Sequence, residues 1–453
     1  MIHPPTIIAV DDNASELAQI VGALRLLDAA CLPVKVDGTN PDIGGPLKGV
    51  RLVFLDINYL PGVSSGTAMF ETAATVLEKV LAKDNGPYVL ITWTSKSDQH
   101  EQLMAHFAGI EELPTPVVSG SLAKEKFTSS NTDGEAADRP ARSLLAEEIR
   151  KILGTHPQID ALMHWEAAAR RATGEVICSL MDLLPRRDRF LGSTGPTLEY
   201  LLTHIAGAAV GKRNVASDRR GAISEALTPI LYDRLVHQAA NEAETDAWAS
   251  AMSLGGGLPK LVPDPGPKLN ALSHIAMPGS GVMSAGDRGV AFQLAGGTLG
   301  WFSRKAGITP EQLSGEFLRA GERGEGTSPV NTDLTDCRWV LLGTRAVCDQ
   351  AQSRGTLRPA VLAVEVPGSL KDDGAGLRVR RHGASLVTPA YEVADESGTG
   401  QLRKLVINWH WTTSLGLPEM TDAAVLFRMR EPLINMLSAS WSGYSARPGI
   451  IQF

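Results

Sequence analysis

The sequence predicts an α/β fold for the first third of the chain, followed by a helical segment and a C-terminal β-rich α+β domain. Over residues 1–155, short apolar runs alternate with segments of helical periodicity, which is typical of a doubly wound parallel sheet covered by helices. Residues 156–255 are mostly helical in pattern, and residues 256–453 hold apolar runs separated by turn residues. A chain of 453 residues suggests roughly two to three domains, and we place the boundaries near residues 155 and 255.

Composition and charge are those of an ordinary globular protein. The apolar share of 43% is enough for a buried core, and the net charge of −7 gives no overall attraction for nucleic acid, although local basic patches remain. The sequence shows neither a signal peptide nor an apolar run that would span a bilayer, so we expect a cytoplasmic protein without a membrane partner. The scattered cysteines lack metal-binding spacing and are expected to be reduced: Cys31, Cys178, Cys337 and Cys348.

The elements of the first domain follow from apolar runs and helix signals. Strands are predicted at residues 6–13, 31–36, 52–56, 88–95 and 116–118, of which the last is the weakest. Helices are predicted at residues 14–27, 69–82, 98–107 and 142–153, and Asn13 or Ser15 is a suitable N-cap for the first. The third strand is apolar up to Asp56, which predicts that it is buried on both faces of the sheet.

Polar side chains follow these strands at what is predicted to be one edge of the sheet, because the carboxyl ends of parallel strands form a single crevice. Acids end the first and third strands, hydroxyls end the fourth, and a lysine follows the fifth: Asp11, Asp12, Asp56, Thr94, Ser95, and either Lys124 or Lys126. By itself, Asp56 is equally well explained as the cap of a turn. Three converging carboxylates, however, need a cation, and Mg²⁺ suits an oxygen-only site that also takes a phosphate oxygen.

This constellation fits the transfer of a phosphoryl group to a carboxylate. Asp56 is the predicted nucleophile, and Mg²⁺ would neutralise the charge on the transferring oxygens. The lysine would pair with the phosphate as a point charge, and the Thr94 hydroxyl would follow the phosphate and report its presence.

On these motifs the first domain resembles the receiver domain of two-component response regulators. The motifs are Val-Asp-Asp at 10–12, Phe-Leu-Asp-Ile at 54–57 with Leu-Pro-Gly behind it, Thr94-Ser95, and the lysine after the fifth strand. The resemblance covers about a third of the chain and implies a flavodoxin-like fold with strand order 2-1-3-4-5. It also implies phosphorylation by a histidine kinase or another phosphodonor, with Mg²⁺ held by four residues: Asp11, Asp12, Asp56 and Asn58.

The sequence departs from the receiver pattern in three places. Pro61 stands five residues after Asp56 where receivers usually have four, which alters the loop that carries the Asn58 backbone ligand. The segment before Thr94 is longer than usual, and the lysine is ambiguous, although Lys124 before the aromatic Phe127 matches better than Lys126. Two short motifs, Trp-Thr-Ser at 93–95 and His-Trp-Glu at 164–166, resemble a divergent branch of receivers found in bacterial phage-defence operons.

The middle segment is predicted to be a helical hairpin or small bundle. Helices are expected at residues 159–184, 198–210 and 222–252, and Pro229 is expected to break or kink the last of these. Two groups of basic residues are either solvated loops or a surface for phosphate backbones. They are Arg186, Arg187 and Arg189, and Lys212, Arg213, Arg219 and Arg220.

The last segment is predicted to be an antiparallel sheet or small barrel after a Gly- and Pro-rich linker at residues 255–267. Strands are expected at residues 289–294, 338–342, 360–366 and 402–411, and a closing helix at residues 421–438 has a basic edge of Arg428, Arg430 and Arg447. Candidate chemistry is limited to a Cys348–His410 nucleophile pair, which needs spatial proximity. Four aromatic residues could equally form a partner surface: Trp409, Trp411, Trp441 and Tyr444.

The sequence therefore favours a signalling protein in which a phosphorylatable receiver regulates an output region that binds a protein partner. A second hypothesis keeps the receiver fold without the switch, as a pseudo-receiver used for docking. A third places an enzyme active site in residues 256–453, controlled by the first domain. The presence of the acids, Thr94 and the lysine counts against the second, and the lack of a catalytic motif counts against the third.

Overall fold

The computed structural model describes residues 5–59, 66–95, 99–127, 139–190, 192–252, 262–279, 283–320, 336–346, 349–350, 356–370, 377–394 and 399–446. The chain divides into two compact units. Unit 1 comprises Met1–Cys178 and Leu231–Gly257, and unit 2 comprises Ser179–Ile230 and Leu258–Phe453. The Pro61-Gly62 turn of the sequence analysis lies outside the described residues.

A parallel sheet forms the centre of unit 1, as the alternating pattern predicts. Its strands are β1 (Ile7–Asp11), β2 (Leu32–Asp37), β3 (Asn40–Pro41), β4 (Leu52–Leu55), β5 (Val89–Thr94) and β6 (Val118–Ala123). They lie in the order β3-β2-β1-β4-β5-β6, and all neighbouring pairs are parallel except the short antiparallel pair of β2 with β3. The ends of β1, β4, β5 and β6 therefore meet at one edge.

Helices cover both faces of this sheet. They are α1 (Ala14–Arg25), α2 (Thr67–Val80), α3 (His100–Ala108) and α4 (Arg139–Gly154). In β4, Val53 and Leu55 pack with α2 and α3, whereas Leu52 and Phe54 pack with α1 and α4. Every residue of β4 is thus buried, which is the physical reason for its continuous apolar sequence.

The last strand of the sheet differs from the expected one. Residues 116–118 were the predicted strand, but β6 begins at Val118 and pairs with β5 in register from Val89↔Val118 to Thr94↔Ala123. Because β6 is an edge strand, it tolerates the polar residues Ser119 and Ser121, which obscured its apolar pattern. A 3₁₀ turn, Lys124–Lys126, follows directly.

The middle of the chain is helical, as predicted, and comprises α5 (Pro157–Asp182), α6 (Arg186–Phe190), α7 (Gly195–Val210), α8 (Lys212–Ser217), α9 (Arg219–His237) and α10 (Glu242–Ala251). Pro229 lies inside α9 without ending it. The break instead falls before Asn241, whose side chain accepts from the backbone N–H of Glu244 in a capping box that starts α10. Among the described residues, no helix combines the length and apolarity needed to cross a membrane.

Unit 2 is built on an antiparallel sheet. Its strands are β7 (Ile275–Ala276), β8 (Val290–Gln293), β10 (Arg338–Gly343), β11 (Leu357–Pro367), β13 (Ser385–Val387), β14 (Tyr391–Ala394), β15 (Gly400–Gly416) and β16 (Ala424–Met429). The order is β13-β15-β11-β10-β8-β16-β7, and β14 also pairs with β15. A separate two-stranded sheet pairs β9 (Leu318–Ala320) with β12 (Leu377–Val379). The remaining helices are α11 (Gly266–His274), α12 (Thr298–Ala306), α13 (Pro310–Gly315) and α14 (Glu431–Ser445).

The predicted closing helix at residues 421–438 is wrong over its first half. Residues 424–429 form β16, which pairs with β8 and β7 and buries Phe427 and Met429 at alternate positions. The helix begins only at Glu431, with Pro432 in its first turn, where the missing N–H costs no helical bond. Arg428 and Arg430 therefore precede the helix rather than line it, and Arg447 lies outside the described residues.

Candidate functional site

Three carboxylates meet at the edge of the sheet of unit 1. Asp11 ends β1, Asp12 follows it, and Asp56 follows β4, and one carboxylate oxygen from each lies within 4.8 Å of the others. Asp11 and Asp56 are buried, with exposed fractions of 0% and 2%, while Asp12 is exposed. The parallel pairing of β1 with β4 produces this convergence, since Asp56 donates its backbone N–H to the Val10 carbonyl at 2.9 Å.

Lys124 supplies the positive charge for this cluster. Its Nζ lies 3.1 Å from Asp11 Oδ2 and 3.2 Å from Asp56 Oδ1. The 3₁₀ turn after β6 places the lysine at the same edge as the carboxylates. Lys126, the alternative from the sequence, is exposed at the far end of that turn.

Backbone donors orient the two buried carboxylates. Asp11 Oδ1 accepts from the Asn13 N–H at 2.7 Å, which leaves Asp11 Oδ2 for Lys124. Asp56 Oδ1 accepts from the Ile57 N–H at 2.8 Å. Both carboxylates are therefore held in fixed orientations at the mouth of the crevice.

Burial dominates the electrostatics of the cluster. It raises the pKa of Asp11 to about 8, against the lowering effect of Lys124, and Asp56 adds to the rise. Burial likewise raises the pKa of Asp56, although Lys124 opposes it. Burial lowers the pKa of Lys124, but the attraction of Asp56 and Asp11 outweighs it, so that the pKa of the ammonium is raised overall. Two buried acids with raised pKa values at a cleft are typical of a functional site.

The donor set fits a hard divalent cation. Asp11, Asp12 and Asp56 offer only oxygen, the ligand type that Mg²⁺ prefers. Asn58 lines the same cleft, and its Oδ1 is buried without a hydrogen-bond partner. An orphaned buried acceptor is costly, and an adjacent cation or its water would satisfy it. These residues could therefore hold a divalent metal ion.

Glu16 is a fourth acid at the site, and the sequence analysis did not single it out. From the first turn of α1, its Oε2 contacts Lys124 Nζ and also accepts from Trp93 Nε1 at 3.1 Å. Trp93 is fully buried and stacks on Phe127, with ring centroids 5.5 Å apart. The sequence signal that could have found Glu16 is its position four residues after Asp12. Asn13 caps α1, so the first turn of this helix, which contains Glu16, lies close to the strand ends.

The two hydroxyl residues singled out in the sequence, Thr94 and Ser95, lie at the end of β5 and directly after it. Thr94 is the last residue of the strand and is fully buried, and Ser95 lines the cleft with Asp56 and Lys124. On the same strand, the Thr92 hydroxyl lies 3.0 Å from His100 Nδ1. The residues chosen for phosphoryl transfer thus share one edge of the sheet with the start of α3.

Only one member of the predicted Cys348–His410 pair lies among the described residues. Cys348 lies outside the described residues. His410 instead faces His382 and Tyr444, with ring centroids 5.2 and 5.4 Å away. The predicted aromatic surface is partly core, because Trp409 is buried with only 3% exposed and donates to Ser440 Oγ.

No family model matches this chain, and no curated protein matches it either. Its function is therefore inferred from the chemistry of the carboxylate cluster itself.

The raised pKa of Asp11 predicts how stability depends on pH. An aspartate in the unfolded chain has a pKa near 3.9, so between about pH 4 and pH 8 the folded state holds more protons than the unfolded state. The free energy of unfolding is therefore expected to fall as pH rises through this range in the presence of a chelator. Urea unfolding should show a smaller fall for Asp11→Asn, and an equal fall in both proteins would contradict the assignment.

Proposed function

We propose that unit 1 is a receiver-like module that accepts a phosphoryl group on Asp56 with the help of Mg²⁺. In this proposal the modified domain regulates an output region in the rest of the chain that binds a protein partner. The observation that carries it is the meeting of Asp11, Asp12 and Asp56 with Lys124 at the carboxyl edge of a parallel sheet.

Each residue has a chemical role in the transfer. An Asp56 carboxylate oxygen attacks the phosphorus of a phosphohistidine or a small phosphodonor, the bond to the leaving group breaks, and an acyl phosphate remains. Asp11, Asp12, Asp56 and Asn58 would hold Mg²⁺, which when bound neutralises charge on the transferring oxygens. Lys124, already 3.2 Å from Asp56 Oδ1, is placed to pair with a phosphate oxygen.

The sheet topology supports the same proposal. Without the two-residue β3, the five parallel strands run β2-β1-β4-β5-β6, an order compatible with the 2-1-3-4-5 arrangement expected of a flavodoxin-like sheet. In such sheets, ligands bind outside the carboxyl ends of the strands near the point where the order reverses, here between β1 and β4. Because one fold serves many functions, the weight of the proposal rests on the side chains at that edge.

Contacts within unit 1 offer a route from the site to the following helices. Only two residues separate α4 from α5, and Arg51, which precedes β4, pairs with Glu166 of α5 at 2.7 Å. A phosphate on Asp56 adds about two negative charges, toward which Lys124 and Thr94 are expected to move. Repacking along β5 and α3 would then bias the packing of α4 and α5.

Hydrogen exchange with a phosphoryl mimic tests this switch. Beryllofluoride added with Mg²⁺ is expected to slow exchange at the end of β5 and in α3, and to change it in α5, because the mimic adds bonds at Asp56. Asp56→Asn should show neither change. Wild-type protein with unaltered exchange at saturating beryllofluoride would instead support a pseudo-receiver that docks without being modified.

A further inference from the structure

A second cluster of ligand-type side chains lies in unit 2, remote in sequence from the carboxylates of unit 1. Glu316 follows α13, His382 lies in the turn before β13, and His410 lies within β15. One ligand atom from each of the three lies within 4.8 Å of the others. We propose that Glu316, His382 and His410 form a binding site for a transition-metal ion of the zinc class.

The spacing of the two imidazoles fits a shared metal. Zinc–nitrogen bonds of about 2.1 Å place each ring centroid roughly 3.2 Å from the ion, so a tetrahedral angle separates the centroids by roughly 5 Å. The centroids of His382 and His410 are 5.2 Å apart, with an interplanar angle of 11°. The two rings are stacked, and ligand atoms around such an ion lie roughly 3.4 Å apart, so the exposed His410 ring and the half-buried Glu316 side chain would rotate toward His382 to share an ion.

One buried amide ties the three positions together. Asn408 has no exposed surface, and its Oδ1 accepts from the backbone N–H of His410 at 3.1 Å. Its Nδ2 then donates to the Glu316 carbonyl at 3.2 Å and lies 3.1 Å from His382 Nε2. Metal sites rely on outer hydrogen bonds to hold ligands in position, and here Asn408 joins the backbone at Glu316 to the backbone at His410.

The polar groups around the cluster already engage part of its ligand set. His382 Nδ1 lies 3.2 Å from the Ala384 backbone nitrogen, and Nε2 lies 3.1 Å from Asn408 Nδ2, so a metal bound at either nitrogen would displace the N–H contact there and the ring would turn away from the other. Arg380 lies 3.2 Å from Glu316 Oε1 and orients that carboxylate while leaving its other oxygen for the ion.

The ligand set selects the kind of metal. Two imidazole nitrogens and one carboxylate oxygen suit zinc and its neighbours rather than Mg²⁺ or Ca²⁺, which prefer oxygen alone. Three protein ligands leave a fourth position on the solvent side, where His410 is exposed, for water or an anionic group of a partner. The ion would link the end of α13, the turn at His382 and the middle of β15.

Metal stoichiometry of the full chain tests the proposal. After chelator treatment and desalting, wild type and His204→Ala, an exposed histidine of α7, are expected to retain one more equivalent of added zinc than His410→Ala and Glu316→Gln. Subtracting the zinc content of the two site variants from that of the wild type removes the contribution of zinc bound to the carboxylates of unit 1 or to cysteines. Zinc should also raise the melting temperature of the first two proteins and not of the last two. Equal stoichiometry in all four would overturn the site.

A second measurement needs no variant and so is independent of folding defects. Diethyl pyrocarbonate modifies accessible neutral histidines, and peptide mass spectrometry reports each position. Zinc is expected to reduce modification of His410 and His382 several-fold while leaving His204 unchanged. Unchanged modification of His410 at saturating zinc would equally overturn the proposal.

Discussion

Replacing Asp56 with asparagine is expected to abolish stable phosphoryl incorporation into the chain. Acetyl phosphate with Mg²⁺ should add one phosphoryl group to the wild type, detected by intact-protein mass spectrometry and removed by hydroxylamine, which cleaves acyl phosphates. An amide at position 56 cannot attack phosphorus as a carboxylate does, so the expected effect is complete loss. Omitting Mg²⁺ should reduce incorporation roughly tenfold or more, because Lys124 alone then offsets the charge of the carboxylates and of the transferring oxygens.

Asp84→Asn is the matched control. Asp84 is exposed, pairs with Lys48, and precedes β5, which places it at the opposite edge of the sheet from Asp56. It should be phosphorylated like the wild type. Incorporation that survives in Asp56→Asn, or that maps to another residue by peptide sequencing, would refute Asp56 as the acceptor.

Replacing Lys124 with methionine is expected to cause the largest loss of stability. The change removes the cation that pairs with Asp11, Asp56 and Glu16, and breaking such a buried pair typically costs about 3–5 kcal/mol. The remaining carboxylates should then take up protons, because their pKa values rise further without the ammonium. The loss in the free energy of unfolding is therefore expected to shrink at low pH and on addition of Mg²⁺.

Lys126→Met provides the comparison within the same turn. Lys126 is exposed, and its replacement should change the free energy of unfolding by less than about 0.5 kcal/mol. Urea unfolding at neutral and at acidic pH measures both variants. Equal losses for the two lysines, or a loss for Lys124→Met that does not depend on pH, would show that the charge of Lys124 is not what the cluster needs.

Most of the first sheet was predictable because its central strands β4 and β5 are buried on both faces. β4 pairs on both sides and packs under helices on both faces, so nothing but apolar residues fits between Arg51 and Asp56. The edge strand β6 and the strand β16 were harder for opposite reasons. β6 lies at the edge of the sheet, and an edge strand tolerates serines. The apolar residues of β16 also match helical spacing, so the sequence pattern does not distinguish a strand from a helix there, and only the pairing with β8 shows that it is a strand.

The candidate site was predictable where a residue directly follows a strand. Asp11, Asp12 and Asp56 could be grouped because parallel strands present their carboxyl ends together. Glu16 was not grouped with them although it stands four residues after Asp12, since its contact with Lys124 depends on how α1 packs back against the sheet. The same holds for His382 and Asn408, which lie near Glu316 in space but 66 and 92 residues after it in the chain.

By itself the sequence determined the parallel α/β character of the first part of the chain, the acids at its strand ends and the β-rich character of the last part. These follow from local rules, because burial and strand termination leave a mark on neighbouring residues. Only the tertiary structure shows that Lys124 rather than Lys126 contacts Asp56, and that the ring of His410 lies against the ring of His382. Such choices depend on distances between elements far apart in the chain, and local residue patterns do not encode those distances.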